Sequence, residues 1–152
     1  MNFLKRLEIQ GFKSFAAKTV LEFPARIVAV VGPNGSGKSN IIDAMRWALG
    51  EREAKQLRGE TIENLIFAGT AKKPAAGFAR VALYFDNKEK NLPVDFEEMV
   101  VERKVDRSAV SQFFCNDSEI RLRDLVPLLA RARLSSRGLN MIGQGDSDVF
   151  VR

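Results

Sequence analysis

Arg26-Ile27-Val28-Ala29-Val30-Val31, running into Gly32-Pro33-Asn34-Gly35-Ser36-Gly37-Lys38-Ser39, is the stretch on which the fold turns. The first six residues form a nearly continuous β-branched run, the pattern of a strand buried on both faces in the middle of a sheet. Gly32 stops it. The next eight satisfy G-x-x-x-x-G-K-[ST], and from Asn40 the residues Ile41, Ile42, Met45, Trp47, Ala48 and Leu49 fall at largely helical spacing, with Gly50 placed to close a helix. Strand, glycine-rich loop and helix come in the order this pattern needs. The glycines let the backbone curl so that successive N–H groups converge on phosphate oxygens, and the helix N-terminus adds partial positive charge. Lys38 is expected to bridge β- and γ-phosphates, and Ser39 to offer its hydroxyl oxygen to Mg²⁺. Kinases, GTPases and motor ATPases all use such a loop, so it predicts nucleotide binding without naming a reaction.

Composition narrows the chemistry. The chain has 152 residues, 45% of them hydrophobic, enough for one sizeable core, and length alone predicts a single domain. It contains no histidine. Imidazole bases, Ser-His-Asp systems and histidine metal sites are therefore excluded, and catalysis must use carboxylates, amides, Lys, Arg or a bound metal. The single cysteine, Cys115, cannot form an internal disulfide, and no N-terminal segment has the form of a signal peptide, which fits a reduced, cytosolic setting. Charges interrupt every apolar run well before the roughly 20 residues that cross a bilayer, so no membrane partner is expected. Twenty-four Lys and Arg against nineteen Asp and Glu give a net charge of +5. That balance suits a polyanion such as DNA and equally suits an ordinary solvated basic surface.

Outward from the loop, partial alternation over Asn2 to Gln10 predicts a half-buried strand, Gly11 a turn, and Thr19 to Phe23 an antiparallel return ended by Pro24. Phe78 to Asp86, Met99 to Asp106 and Ser111 to Cys115 read as strands, and Asn116-Asp117 offers a turn into Glu119 to Leu122. Together they predict an antiparallel lobe. Leu125, Val126, Leu128, Leu129 and Ala132 give Arg123 to Arg133 an apolar helical face, with Pro127 tolerated only near the first turn. Ile62, Leu65, Ile66 and Phe67 are expected to anchor a mixed segment to the core. Leu139 to Gly143 offers a further strand, and Asp146 to Arg152 reads as the start of a helix.

Several short segments together resemble the structural-maintenance-of-chromosomes (SMC) family. Gly11-Phe12-Lys13-Ser14-Phe15 precedes the loop and Asn40-Ile41-Ile42-Asp43-Ala44 follows it. Leu57-Arg58-Gly59, Ile66-Phe67-Ala68-Gly69, Arg121-Leu122-Arg123-Asp124 and Ile142-Gly143-Gln144-Gly145 come in the family's order. The resemblance spans the chain and is nearest to the bacterial chromosome-segregation type. It implies an α/β fold, the N-terminal lobe of an ABC-type P-loop NTPase head, with a mixed sheet around the Walker A helix and an antiparallel β subdomain. Residues 1–152 would be the N-terminal half of the head, carrying Walker A and the Q-loop, with the coiled coil, hinge and C-terminal half absent.

The resemblance also implies roles. Gln144 matches the Q-loop glutamine, which contacts Mg²⁺ and places the attacking water, a task within reach of a neutral amide. Arg58 matches an arginine that reaches the nucleotide phosphates and links hydrolysis to DNA. Lys13, Ser14 and Asn40 match segments lying against the nucleotide. Implied with them are ATP and Mg²⁺, a cytoplasmic, nucleoid-associated setting, and as partners the C-terminal half, a second head in a homodimer, a kleisin-type subunit and DNA. Lys72, Lys73, Arg103, Lys104 and Arg107 are candidate DNA phosphate contacts, each also readable as part of a solvated face.

Val81 to Phe85 followed by Asp86 imitates the strand-ending aspartate that holds Mg²⁺ in many phosphate-loop enzymes, but Asn87 follows where glutamate is wanted. Asp86 is expected to end a strand of the antiparallel lobe. No Leu-Ser-Gly-Gly segment, Asp-Glu pair or switch histidine occurs. In the family these lie in the other half of the head, so this chain alone is expected to hold ATP and to hydrolyse it poorly. Phe113-Phe114-Cys115-Asn116-Asp117 lacks the expected Asn-Gly turn, and Leu134 to Arg137 is locally unusual. Two alternatives remain: a repair-type head of the RecF, RecN or Rad50 kind, and a small-molecule kinase, which would need an acceptor lid and base within the chain.

Overall fold

The computed structural model describes residues 4–23, 28–29, 37–50, 65–132 and 149–150. In chain order these form β1 (Leu4–Gln10), β2 (Thr19–Glu22), β3 (Val28–Ala29), α1 (Gly37–Ala48), β4 (Phe78–Asp86), β5 (Glu98–Asp106), β6 (Ser111–Cys115), β7 (Ser118–Ile120), α2 (Leu122–Arg131) and β8 (Val149–Phe150). Six strands make one sheet in the order β2-β1-β4-β5-β6-β7, and β3 pairs with β8. Every described pairing is antiparallel.

Alternation decides which way the large sheet faces. Along β5, Met99, Val101, Arg103 and Val105 are buried, and the residues between them are partly exposed. Cross-strand register carries the same parity across the sheet: Leu7 stands opposite Leu83, Leu83 opposite Val101, and Val101 opposite Cys115. This inner face joins Ala44, Met45, Trp47 and Ala48 of α1 and Leu125 and Leu129 of α2 in one core. Non-directional burial of these side chains is what holds the helices on the sheet.

The other face is polar. Glu8 stands opposite Ala82 and Ala82 opposite Glu102, and Arg80 reaches both carboxylates, with Nη1 3.2 Å from Glu8 Oε1 and Nε bonded to Glu102. Arg6 lies 4.0 Å from the Tyr84 ring centroid. Burial works against ionisation of Glu8, but the hydrogen bond from Arg80 and the nearby Lys18, Arg80 and Arg6 outweigh it and hold the carboxyl below its ordinary range.

Turn chemistry explains the hairpins. Asn116 and Asp117, between the paired Cys115 and Ser118, both have positive φ (48° and 70°), as the central residues of a type I′ turn must. Asparagine and aspartate tolerate this conformation, so the hairpin forms without the Asn-Gly pair. Asn116 does more: its Oδ1 accepts from Val100 N at 3.0 Å and its Nδ2 donates to Glu98 O at 2.8 Å. The connection after β4 is organised by the fully buried Asn87, whose side chain accepts from Leu92 N and donates to the carbonyls of Val94 and Phe96.

The strands expected around the first turn and in the antiparallel lobe are present, and Asp86 closes β4 as expected. Two expectations are corrected. Val149–Phe150 is a strand, because its backbone finds ladder partners in Val28 and Ala29, over a hundred residues away and invisible to local periodicity. Pro127 lies in the second turn of α2; the helix keeps its place because Leu125 and Leu129, on either side of the proline, are buried. Leu139 to Gly143, Ile62 and Leu134 to Arg137 lie outside the described residues.

Candidate functional site

The backbone of Gly37, Lys38, Ser39 and Asn40 forms the first turn of α1. That turn has no acidic residue, so no carboxylate of its own neutralises the positive end of the helix dipole, an environment that fits a phosphate group. By residue type, a serine hydroxyl and a glutamine amide, as at positions 39 and 144, are oxygen donors of the hard kind Mg²⁺ takes. Gly32, Pro33, Asn34, Gly35, Ser36, Arg58 and Gln144 lie outside the described residues. At its other end α1 closes as the sequence predicts: Gly50 has φ 102° and its N–H bonds to Trp47 O at 3.1 Å.

The turn from Gly11 to Phe15 is built against this helix. Gly11 has φ 68°, and a Cβ there would stand 2.1 Å from Phe78 O, so only glycine fits. The turn is held by Phe67 N to Gly11 O (2.7 Å), Lys13 N to Leu65 O (2.6 Å) and Phe15 N to Phe12 O (2.8 Å). Lys13, itself at φ 51°, sends its ammonium to Asp43 Oδ2 of α1 at 2.8 Å. Phe12 packs on Trp47 of the same helix, ring centroids 5.3 Å apart. Ser14 sits in this turn beside Lys13. The structure thus brings Lys13 and the loop helix together through Asp43, a residue sequence reasoning quoted without giving it a role. Its signal was weak: Asp43 lies four residues, about one helical turn, beyond Ser39.

Arg103 is corrected. It is 5% exposed, on the inward-facing side of β5, and so belongs neither to a solvated face nor to a phosphate-binding surface. Alternation contained the signal, since Arg103 falls in step with Met99, Val101 and Val105. Lys72, Lys73 and Arg107 are exposed, with Arg107 donating to the carbonyls of Phe67 and Ala76. Lys104 lies 4.7 Å from the Phe78 ring centroid. Burial pushes the Cys115 thiol up, so it stays protonated near neutral pH and is not an activated nucleophile. Among the described residues no group of His, Cys, Asp and Glu forms a metal cluster, and no helix is long and apolar enough to cross a membrane.

Residues 3–141 match the RecF/RecN/SMC N-terminal domain family. The chain belongs to that family. It is 46% identical over 149 residues to the chromosome partition protein Smc of Clostridium kluyveri, covering 98% of this chain and 13% of that protein. The chain therefore spans only a small part of the curated relatives it matches. Among solved structures it resembles the Smc head domain of Pyrococcus furiosus, which carries an extended coiled coil and is bound to the C-terminal domain of ScpA (TM-score 0.88, 39% identity, 96% of this chain and 37% of that one). It also resembles a structure solved in work on ATP-driven dimerization and DNA-stimulated activation of SMC ATPases (TM-score 0.86, 38% identity, 95% and 87%). The recombination mediator RecF, at 20% identity and TM-score 0.58, shares the fold alone. Within the family, the likeness lies on the SMC side. The α/β head fold expected from the sequence is that of these SMC neighbours.

Proposed function

We propose that this chain is the ATP-binding N-terminal half of the ATPase head of an SMC protein that organises and segregates chromosomes. The observation that carries the reading is α1: its sequence begins with the Gly-Lys-Ser of the phosphate loop, its first turn is free of acid, and the Lys13 turn is bonded to it. Likeness to SMC heads along nearly the whole chain supports it.

Gly32 to Ser39 cradle the triphosphate, with Lys38 on the β- and γ-phosphates; Asn40, Lys13 and Ser14 line the nucleotide. Ser39 and Gln144 are the residues that would hold Mg²⁺, whose charge would offset that of the phosphates. Gln144 also orients the attacking water, and Arg58 reaches the phosphates. This half holds ATP and lacks the carboxylate that would complete hydrolysis. The C-terminal half of the head supplies that group, and a second head supplies its signature segment to the γ-phosphate, so ATP joins two heads and hydrolysis releases them. DNA and a kleisin-type subunit complete the assembly, in keeping with the ScpA-bound Pyrococcus furiosus head. The setting is cytoplasmic and nucleoid-associated. The repair-type head is disfavoured by the distance to RecF, and the kinase by the SMC likeness of the whole chain.

Mixing this chain with the C-terminal half of the same head, with and without ATP and DNA, tests the reading. Association that ATP strengthens, and ATPase activity that appears only in the mixture, is expected. Brisk steady-state hydrolysis by this chain alone would overturn it.

A further inference from the structure

Trp47 is the sole tryptophan of the chain and is 1% exposed near the C-terminal end of α1. Its indole N–H has no hydrogen-bond partner among the described residues, so contacts to the ring itself hold it. Phe12 packs against it with the rings tilted by 42° and their centroids 5.3 Å apart, and the guanidinium of Arg103 lies over it, 4.7 Å from the ring centroid. The same guanidinium lies 4.7 Å from the Phe113 ring, donates from Nη1 to Trp47 O at 2.9 Å, and donates from Nε and Nη2 to Ser111 Oγ at 3.2 and 3.1 Å.

An aliphatic side chain at this inward position would continue the row of Met99, Val101 and Val105 without the desolvation cost of a buried cation. Arginine supplies what an aliphatic cannot. Its planar fork bonds the carbonyl end of α1, where the helix dipole is negative, while its face stacks on aromatic rings. Through Trp47 it braces Phe12, and therefore the turn whose next residue, Lys13, bonds Asp43 on the same helix. Further along, Arg107 donates to Phe67 O, and Phe67 N donates to Gly11 O, so the end of β5 grips the same turn from its other side.

From this geometry we infer that Arg103 is a positioning residue for nucleotide binding: it fixes the far end of the phosphate-loop helix and, through Trp47 and Phe12, the Lys13 turn. This rests on α1 being the helix that receives ATP phosphates. Arg103 itself touches no nucleotide; it removes freedom that binding would otherwise have to remove.

The test uses the complete protein. Dissociation constants for a non-hydrolysable ATP analogue with Mg²⁺ are measured for the unaltered protein, R103M, R103K and S111A, alongside unfolding midpoints without nucleotide. Affinity is expected to fall at least about fivefold in R103M, in the range of ordinary site-to-site coupling. R103K, which keeps a cation and one donor for Trp47 O, should recover part of that loss, and S111A, which removes only the second anchor of the fork, should show a smaller loss in the same direction. Folded R103K and S111A that both bind the analogue as tightly as the unaltered protein would overturn the inference, even if R103M fails to fold. So would loss of stability with unchanged affinity, the mark of a merely structural role. If the unaltered protein binds no ATP analogue, the proposed function falls, and this inference with it.

Discussion

Lys13 Nζ and Asp43 Oδ2 meet at 2.8 Å with side chains only 6% and 5% exposed. One belongs to the turn after β1, the other to the helix that begins with Gly37-Lys38-Ser39, so the pair ties two sequence motifs into one site. Removing either partner leaves a buried charge without this counter-charge. K13M and D43L are each expected to destabilise the protein by about 3 kcal/mol, as broken buried pairs do. Their sum should exceed the loss in the double variant, because the interaction between the two groups can be lost only once. Denaturant titration of the three variants checks this, and strict additivity would count against a coupled pair.

Gly11 offers a sharper steric test. Alanine there would need φ 68° and would drive its Cβ to 2.1 Å from the backbone oxygen of Phe78. G11A is therefore expected to cost more than about 3 kcal/mol, from strain and displaced backbone together. Gly77 is the control, because a Cβ there meets nothing within 4 Å. G77A should stay within about 0.5 kcal/mol of the unaltered protein. Thermal unfolding of both variants gives the comparison.

Acid stability should report on Glu8. Its carboxyl titrates below the ordinary glutamate range in the folded protein, so the unfolded chain binds the proton more readily. The stabilisation is complete above the unfolded value of about 4.3. It is lost as pH falls through that value and then through the lower folded one. E8Q, which has no charge to lose, should show a shallower decline in stability between about pH 5 and pH 3 than the unaltered protein. Parallel curves for the two would remove Glu8 from the account.

Much of this fold is legible in the chain because local rules and tertiary packing agree. β5 alternates without a break, Gly50 closes α1 where the apolar pattern ends, and Asn116-Asp117 turns the last hairpin. Legibility fails where a partner is distant. Val149–Phe150 becomes a strand only by meeting Val28–Ala29, and the role of Asp43 exists only once the fold delivers Lys13. Arg103 is a different failure. Its side chain type argued for solvent and its position in the alternation argued for the core, and position prevailed because Trp47 O, Ser111 and two aromatic rings satisfy the cation there. Arg58 and Gln144 rest on family resemblance, since neither has a local pattern that would single it out.

Equilibrium titration of a non-hydrolysable ATP analogue with Mg²⁺ into the unaltered protein and into K38A tests whether Gly32 to Ser39 hold the phosphates of ATP. Loss of the charged donors of Lys38 should weaken binding by at least about tenfold, the equivalent of one hydrogen bond to a charged group, with the unfolding midpoint preserved. A folded K38A that binds the analogue as tightly as the unaltered protein would show that the phosphates are held elsewhere.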